Sequence, residues 1–131
     1  MNYLPDWARP SPPGRIALCD PPAPISILIF ADAFGPTQQI SFSNALLRPR
    51  RLGAVSLRLI DEAALTETSL QGGQAGVYGF LRRQFEDVTP TCVILSRFSG
   101  EEYALIMALA REWGVPVICH LDDDLLNPPA T

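Results

Sequence analysis

A short, almost continuously apolar and largely β-branched run, Ile25-Ser26-Ile27-Leu28-Ile29-Phe30-Ala31, stops abruptly at Asp32. This texture is how a strand buried on both faces reads, because both rows of its alternating side chains must meet apolar partners. The same signature returns at residues 54–60, 91–95 and 116–121. Stretches of helical character separate the four runs. Strands that alternate with helices in this way predict an α/β domain with a parallel four-stranded sheet and right-handed crossovers. The expected layout is a three-layer α/β/α sandwich with strand order 2-1-3-4, and so thin a sheet has an edge strand to protect.

The clearest helix falls between the last two strands. Ser99 and Glu102 form an S-x-x-E capping box, Tyr103, Ile106, Met107 and Ala110 recur at helical spacing, and Gly114 and Pro116 stop the element. A second helix is predicted over residues 37 to about 48, with Ile40, Asn44 and Leu47 on one stripe and Pro49 as its terminator. A third follows the glycine-rich stretch Gly72-Gly73-Gln74-Ala75-Gly76 and carries Val77, Phe80, Leu81 and Phe85 on one face.

Seven of the 13 prolines precede residue 25, a density that blocks helices and removes the amide donors of a central strand. Residues 1–24 therefore read as a Pro-rich N-terminal arm outside the core, with Trp7, Ile16 and Leu18 available to pin it to the domain. Residues 25–127 form the domain, and residues 128–131 a tail or a cut end. The 131 residues are 47% hydrophobic and 18% charged, enough apolar content for one packed domain and too much for a disordered chain. All ten basic residues are arginines, and against 14 acidic ones they give a formal charge of -4, which argues against a nucleic-acid-binding surface. No apolar run approaches the roughly 18 residues of a spanning helix, and no signal peptide is apparent. A cytoplasmic protein with free thiols at Cys19, Cys92 and Cys119 is expected; Cys92 and Cys119 lie in apolar runs, where cysteine behaves as a small buried hydrophobe.

In open parallel sheets, ligands bind beyond the carboxyl ends of the strands, where the strand order reverses. With order 2-1-3-4 that point lies between the runs ending at Ala31 and Ser96. Asp32, Ala33, Phe34 and Gly35 would face it from one side, and Ser96, Arg97, Phe98 and Ser99 from the other. His120 and the run Asp122-Asp123-Asp124 would stand beside them. Three adjacent carboxylates can bind a divalent cation, accept a proton from a hydroxyl or hold sugar hydroxyls, or they can simply form a solvated turn. No second acidic cluster supports a metal site. His120, the one histidine, is a candidate general base or a structural strand-end residue. Arg97 has the geometry to hold a phosphate or carboxylate, or to pair with Asp32 or Glu101. The glycine-rich stretch lacks the Lys-Ser/Thr of a phosphate loop and reads as a flexible connection, while the single Gly35 after the first strand leaves no dinucleotide fingerprint. Arg48, Arg50 and Arg51 fall at a helix C-terminus, where the helix dipole favours cations.

Taken together, the first strand and its loop, the unit Cys92-Val93-Ile94-Leu95-Ser96-Arg97, and Gly114-Val115-Pro116-Val117-Ile118-Cys119-His120-Leu121-Asp122-Asp123-Asp124 resemble the N-terminal half of a Rossmann-like, two-domain GT-B glycosyltransferase. Bacterial members that build surface polysaccharides carry a G-x-P-V-I strand running into a D-x-D-D-D-L signature. Here His120 stands in place of the first Asp, while Asp122, Asp123, Asp124 and Leu125 match. The resemblance covers about residues 25–127. It implies that this half binds a saccharide or lipid-linked acceptor, that a C-terminal domain outside these residues binds the nucleotide-sugar donor, and that no metal or other cofactor is needed. Asp122 or Asp32, with His120, would be the catalytic candidates; Gly35, Ser96, Arg97, Ser99, Asp123 and Asp124 would contact substrate. The half alone would transfer no sugar, and peripheral membrane association of the full-length protein is compatible with it.

The competing expectation is a stand-alone flavodoxin-like regulatory or protein-interaction module. A receiver domain is disfavoured, because Ser96 and Arg97 occupy the end of the third strand, where its phosphoacceptor Asp belongs, and the chain has no lysine. An interaction module would show an apolar crevice and a dimer burying over about 1,000 Å². An enzyme half would show a polar crevice.

Overall fold

The computed structural model describes residues 16–120. Trp7, the acidic run Asp122, Asp123 and Asp124, and the tail lie outside the described residues. Within them, β2 (Ile25–Ala31), β3 (Val55–Asp61), β4 (Cys92–Ser96) and β5 (Val117–His120) match the four apolar runs to within a residue or two. β2 pairs in parallel with β3 on one side and β4 on the other, and β5 pairs in parallel with β4. This is the expected 2-1-3-4 order, but the sheet has a fifth member. β1 (Leu18–Cys19) lies antiparallel against β3, so the sheet is mixed, with order β1-β3-β2-β4-β5, rather than four-stranded and wholly parallel.

β1 brings part of the predicted arm onto the edge of the sheet, and Ile16 and Leu18 pack against the two core clusters. Residues 16–20 carry no proline, so their amides remain free to pair, and Ala17 and Asp20 both donate to β3 carbonyls. A buried ion pair reinforces them. Arg50 grips both carboxylate oxygens of Asp20, Nε to Oδ2 at 2.7 Å and Nη2 to Oδ1 at 2.8 Å, while its Nη1 donates to the carbonyl and hydroxyl of Ser43. Asp20 Oδ2 also accepts the Leu57 amide at 2.9 Å. The arginine and aspartate side chains are only 10% and 16% exposed. Arg50 thus has a specific partner in addition to the favourable helix end.

The core lies on both sheet faces. Leu28, Phe30, Val93 and Leu95 pack with Leu65, Leu81 and Phe85 of α3 (Glu62–Val88) and Ile106 and Leu109 of α4 (Tyr103–Trp113). Ile29, Ala31, Leu57, Leu59 and Ile94 pack with Phe42 on the opposite face. The chain reverses direction across the sheet after β3, and with crossovers of one hand that reversal moves the helices to the other face. No described helix is long and apolar enough to cross a membrane.

Several helix expectations need correction. The predicted helix over residues 37–48 is instead a turn, α1 (Pro36–Gln38), running into a π-helical segment (Gln39–Asn44), followed by a separate α2 (Leu47–Arg51). Pro49 sits in the first turn of α2, where its missing N–H costs nothing, so it does not terminate the helix. The π-helical segment buries Phe42 and Ser43 and leaves Asn44 exposed; Gln38 of α1 is buried and Leu47 of α2 exposed. α3 starts before the glycine-rich stretch, capped by the Asp61 carboxylate on the Ala64 amide at 2.9 Å, and is broken at Gly73 with φ 63°. The Ser99–Glu102 capping box does not form: the N-cap of α4 has no side-chain bond, and Ser99 turns to Glu62. α4 buries Ile106, Leu109 and Ala110 rather than Tyr103 and Met107, and ends at Gly114 with φ 67°.

β5 is less enclosed than its apolar texture implies. Ile118 is 51% exposed and Cys119 is exposed; among the described residues β5 pairs on one side only. The three cysteines are free; Cys92 is half-buried, and desolvation pushes its thiol pKa up. Since the thiolate is the reactive form, iodoacetamide at mildly alkaline pH should label Cys19 and Cys119 well before Cys92, as mass spectrometry of a time course would read. Asp20→Ala removes the bidentate acceptor of Arg50 and the partner of the Leu57 amide, and should cost about 3 kcal/mol in urea unfolding.

Candidate functional site

The carboxyl ends of β2 and β4 meet where the strand order reverses, and the sheet register sets Ala31 beside Ser96 and Ser96 beside His120. Asp32 follows β2 directly. Its Oδ1 accepts the Ala33 amide at 2.8 Å and Gln38 Nε2 at 3.3 Å, and its Oδ2 lies 3.8 Å from Arg97 Nε. Gln38 Nε2 also reaches Ser96 Oγ at 3.4 Å, and its Oε1 accepts the Gly35 amide at 3.1 Å. Ser96, fully buried, has its hydroxyl 3.0 Å from His120 Nδ1. The imidazole meets Phe42 edge to face at 4.9 Å. The structure therefore joins Asp32, Gly35, Ser96, Arg97 and His120 in one polar chain.

Arg97 holds φ 52°, a left-handed conformation that costs a residue with a Cβ, at the point where its amide bonds the His120 carbonyl at 3.1 Å. The strained backbone keeps the guanidinium beside Asp32, which fulfils the pairing with Asp32 named among the sequence alternatives. Asp32, Ala33, Gly35, Pro36, Gln38 and Arg97 line an open cleft of about 190 Å³. Asp32 and Arg97 bring charge of both signs to its rim, while the greater part of its exposed wall is apolar.

Ser99 stands apart from this cleft. Its amide and hydroxyl both lie 3.3 Å from Glu62 Oε1, beside a separate cleft of about 280 Å³ lined by Glu62, Glu101 and Glu102. Gln38, at the end of α1, and Phe42, in the π-helical segment, belong to the site but were not singled out in the sequence. Their four-residue spacing is the one trace of a shared face. Among the described residues, no group of three or more His, Cys, Asp or Glu could hold a metal ion.

Comparison with protein-family models, curated proteins and solved structures gives no match for this chain.

If the backbone at Arg97 is strained as its φ implies, Arg97→Gly and Arg97→Ala remove the same guanidinium but differ in strain. The glycine variant should be about 1 kcal/mol more stable than the alanine variant in chemical denaturation.

Proposed function

We propose that the chain is the acceptor-binding half of a Rossmann-like GT-B glycosyltransferase. In this reading it acts with a second domain that holds the nucleotide-sugar donor. The observation that carries the reading is the chain of polar side chains joined where the strand order reverses, beside a cleft whose wall is otherwise mostly apolar. Asp32 and Arg97 stand at its rim, and Gln38, Ser96 and His120 are linked behind them.

Asp32 is the candidate base. It lies at the mouth of the cleft, and the Ala33 amide, Gln38 and Arg97 hold its carboxylate in one orientation. An acceptor hydroxyl placed against it gives up its proton to the carboxylate as the oxygen attacks the anomeric carbon of the donor sugar. The bond from that carbon to the nucleoside diphosphate breaks, and the diphosphate leaves with the electron pair. The acceptor is a saccharide or a lipid-linked saccharide. Membrane attachment of the full-length protein at the cytoplasmic face fits the second case.

A stand-alone interaction module is the second reading, favoured by the exposed Ile118 and Cys119 on β5. The two readings part on turnover. In the protein carrying both halves, Asp32→Asn should lower kcat by about 10²- to 10⁴-fold with the donor KM nearly unchanged. Wild-type kcat in that variant would refute the assignment of the base.

A further inference from the structure

Gln38 is 2% exposed, and its amide has a single consistent orientation. The Gly35 N–H can only donate, so the oxygen it meets at 3.1 Å is fixed on that side and the NH2 group must face Asp32 and Ser96. Ser96 has one hydroxyl proton to give and is fully buried, so leaving that proton without an acceptor is costly. Toward Gln38 the hydroxyl meets an NH2, which cannot accept. Toward β5 it meets His120 Nδ1 at 3.0 Å, which can. The hydroxyl proton therefore goes to Nδ1, and the neutral imidazole carries its own proton on Nε2.

We infer that Gln38 is a positioning residue that, through Ser96, fixes His120 as the Nε2–H tautomer, with Nδ1 accepting from Ser96 and Nε2 left as the donor. Phe42 supports the ring edge to face, so packing and hydrogen bonding select one imidazole orientation. The tautomer follows from the local network alone. Its consequence for catalysis, that proton removal falls to Asp32 while Nδ1 of His120 is occupied by Ser96, rests on the proposed glycosyl transfer.

His120 is the one histidine in the sequence, so a long-range proton–nitrogen NMR spectrum of the chain labelled with 15N-histidine reports a single ring. At alkaline pH, the expected spectrum has Nδ1 pyridine-like and Nε2 pyrrole-like. Gln38→Glu replaces the NH2 with an oxygen that can accept from Ser96. The hydroxyl then turns toward residue 38, Nδ1–H donates to Ser96, and the two nitrogen signatures exchange. Adding Ser96→Ala to Gln38→Glu should abolish that exchange, because the connection runs through the hydroxyl. Should repulsion from Asp32 unfold the single variant, Asp32→Asn with Gln38→Glu tests the same exchange without the second charge. A pyrrole-like Nδ1 in the unsubstituted chain would overturn the inference. So would unchanged signatures in a folded Gln38→Glu chain. Neither outcome depends on turnover, so failure here is distinct from failure of the glycosyltransferase reading.

Discussion

Everything else in the molecule follows from β2 being hydrogen-bonded in parallel on both edges. Helices and neighbouring side chains cover both faces of its carboxyl half, and Leu28, Ile29, Phe30 and Ala31 are all fully buried. Because the chain leaves β2 first toward β3 and later returns to its other side as β4, the loops that follow the two strands diverge at their carboxyl ends. The gap between those loops is where Asp32, Gln38, Ser96 and Arg97 collect. Polar residues can persist at that point because each finds a partner. The Ser96 hydroxyl is fully buried and lies between an amide and an imidazole, which satisfies it.

The sheet was legible from the sequence because burial on both faces demands a composition that few other local structures share. The runs around Ile29, Leu57, Ile94 and Ile118 located four strands, and their spacing implied the order. Position within the sheet was not legible in the same way. Ile118 and Cys119 have the texture of a central strand but lie on β5, which among the described residues pairs on one side only. The short β1 escaped notice because the prolines around it mask a stretch of five residues whose amides are free, and because its anchor, Arg50, is 30 residues distant from Asp20.

The site was legible as far as strand-end logic reaches. Asp32, Gly35, Ser96, Arg97 and His120 each follow or close a strand, and the structure brings them together. Ser99 is only three residues past the end of β4, yet its hydroxyl goes to Glu62. Strand-end position sets where the backbone is, and the loop conformation then decides which way a side chain turns. Gln38 is the opposite case. A polar residue on a predicted surface helix reads as solvated, and only the bonds of Gln38 to Gly35, Asp32 and Ser96 reveal that it faces inward.

The break at Gly73 divides α3 into two lengths of unequal anchorage. Past the break, Val77, Leu81, Gln84 and Phe85 are buried, whereas before it only Ala64 and Leu65 are, both in the first turn. From Ser69 to Ala75 every residue is exposed. Those residues can open and close as a unit of their own while the sheet and the far length of the helix stay folded. Amide exchange should therefore be layered along a single helix, fast around the glycines and slow near Phe85. A protease cut or an inserted segment in that stretch would be absorbed with the carboxyl-edge cleft left in place.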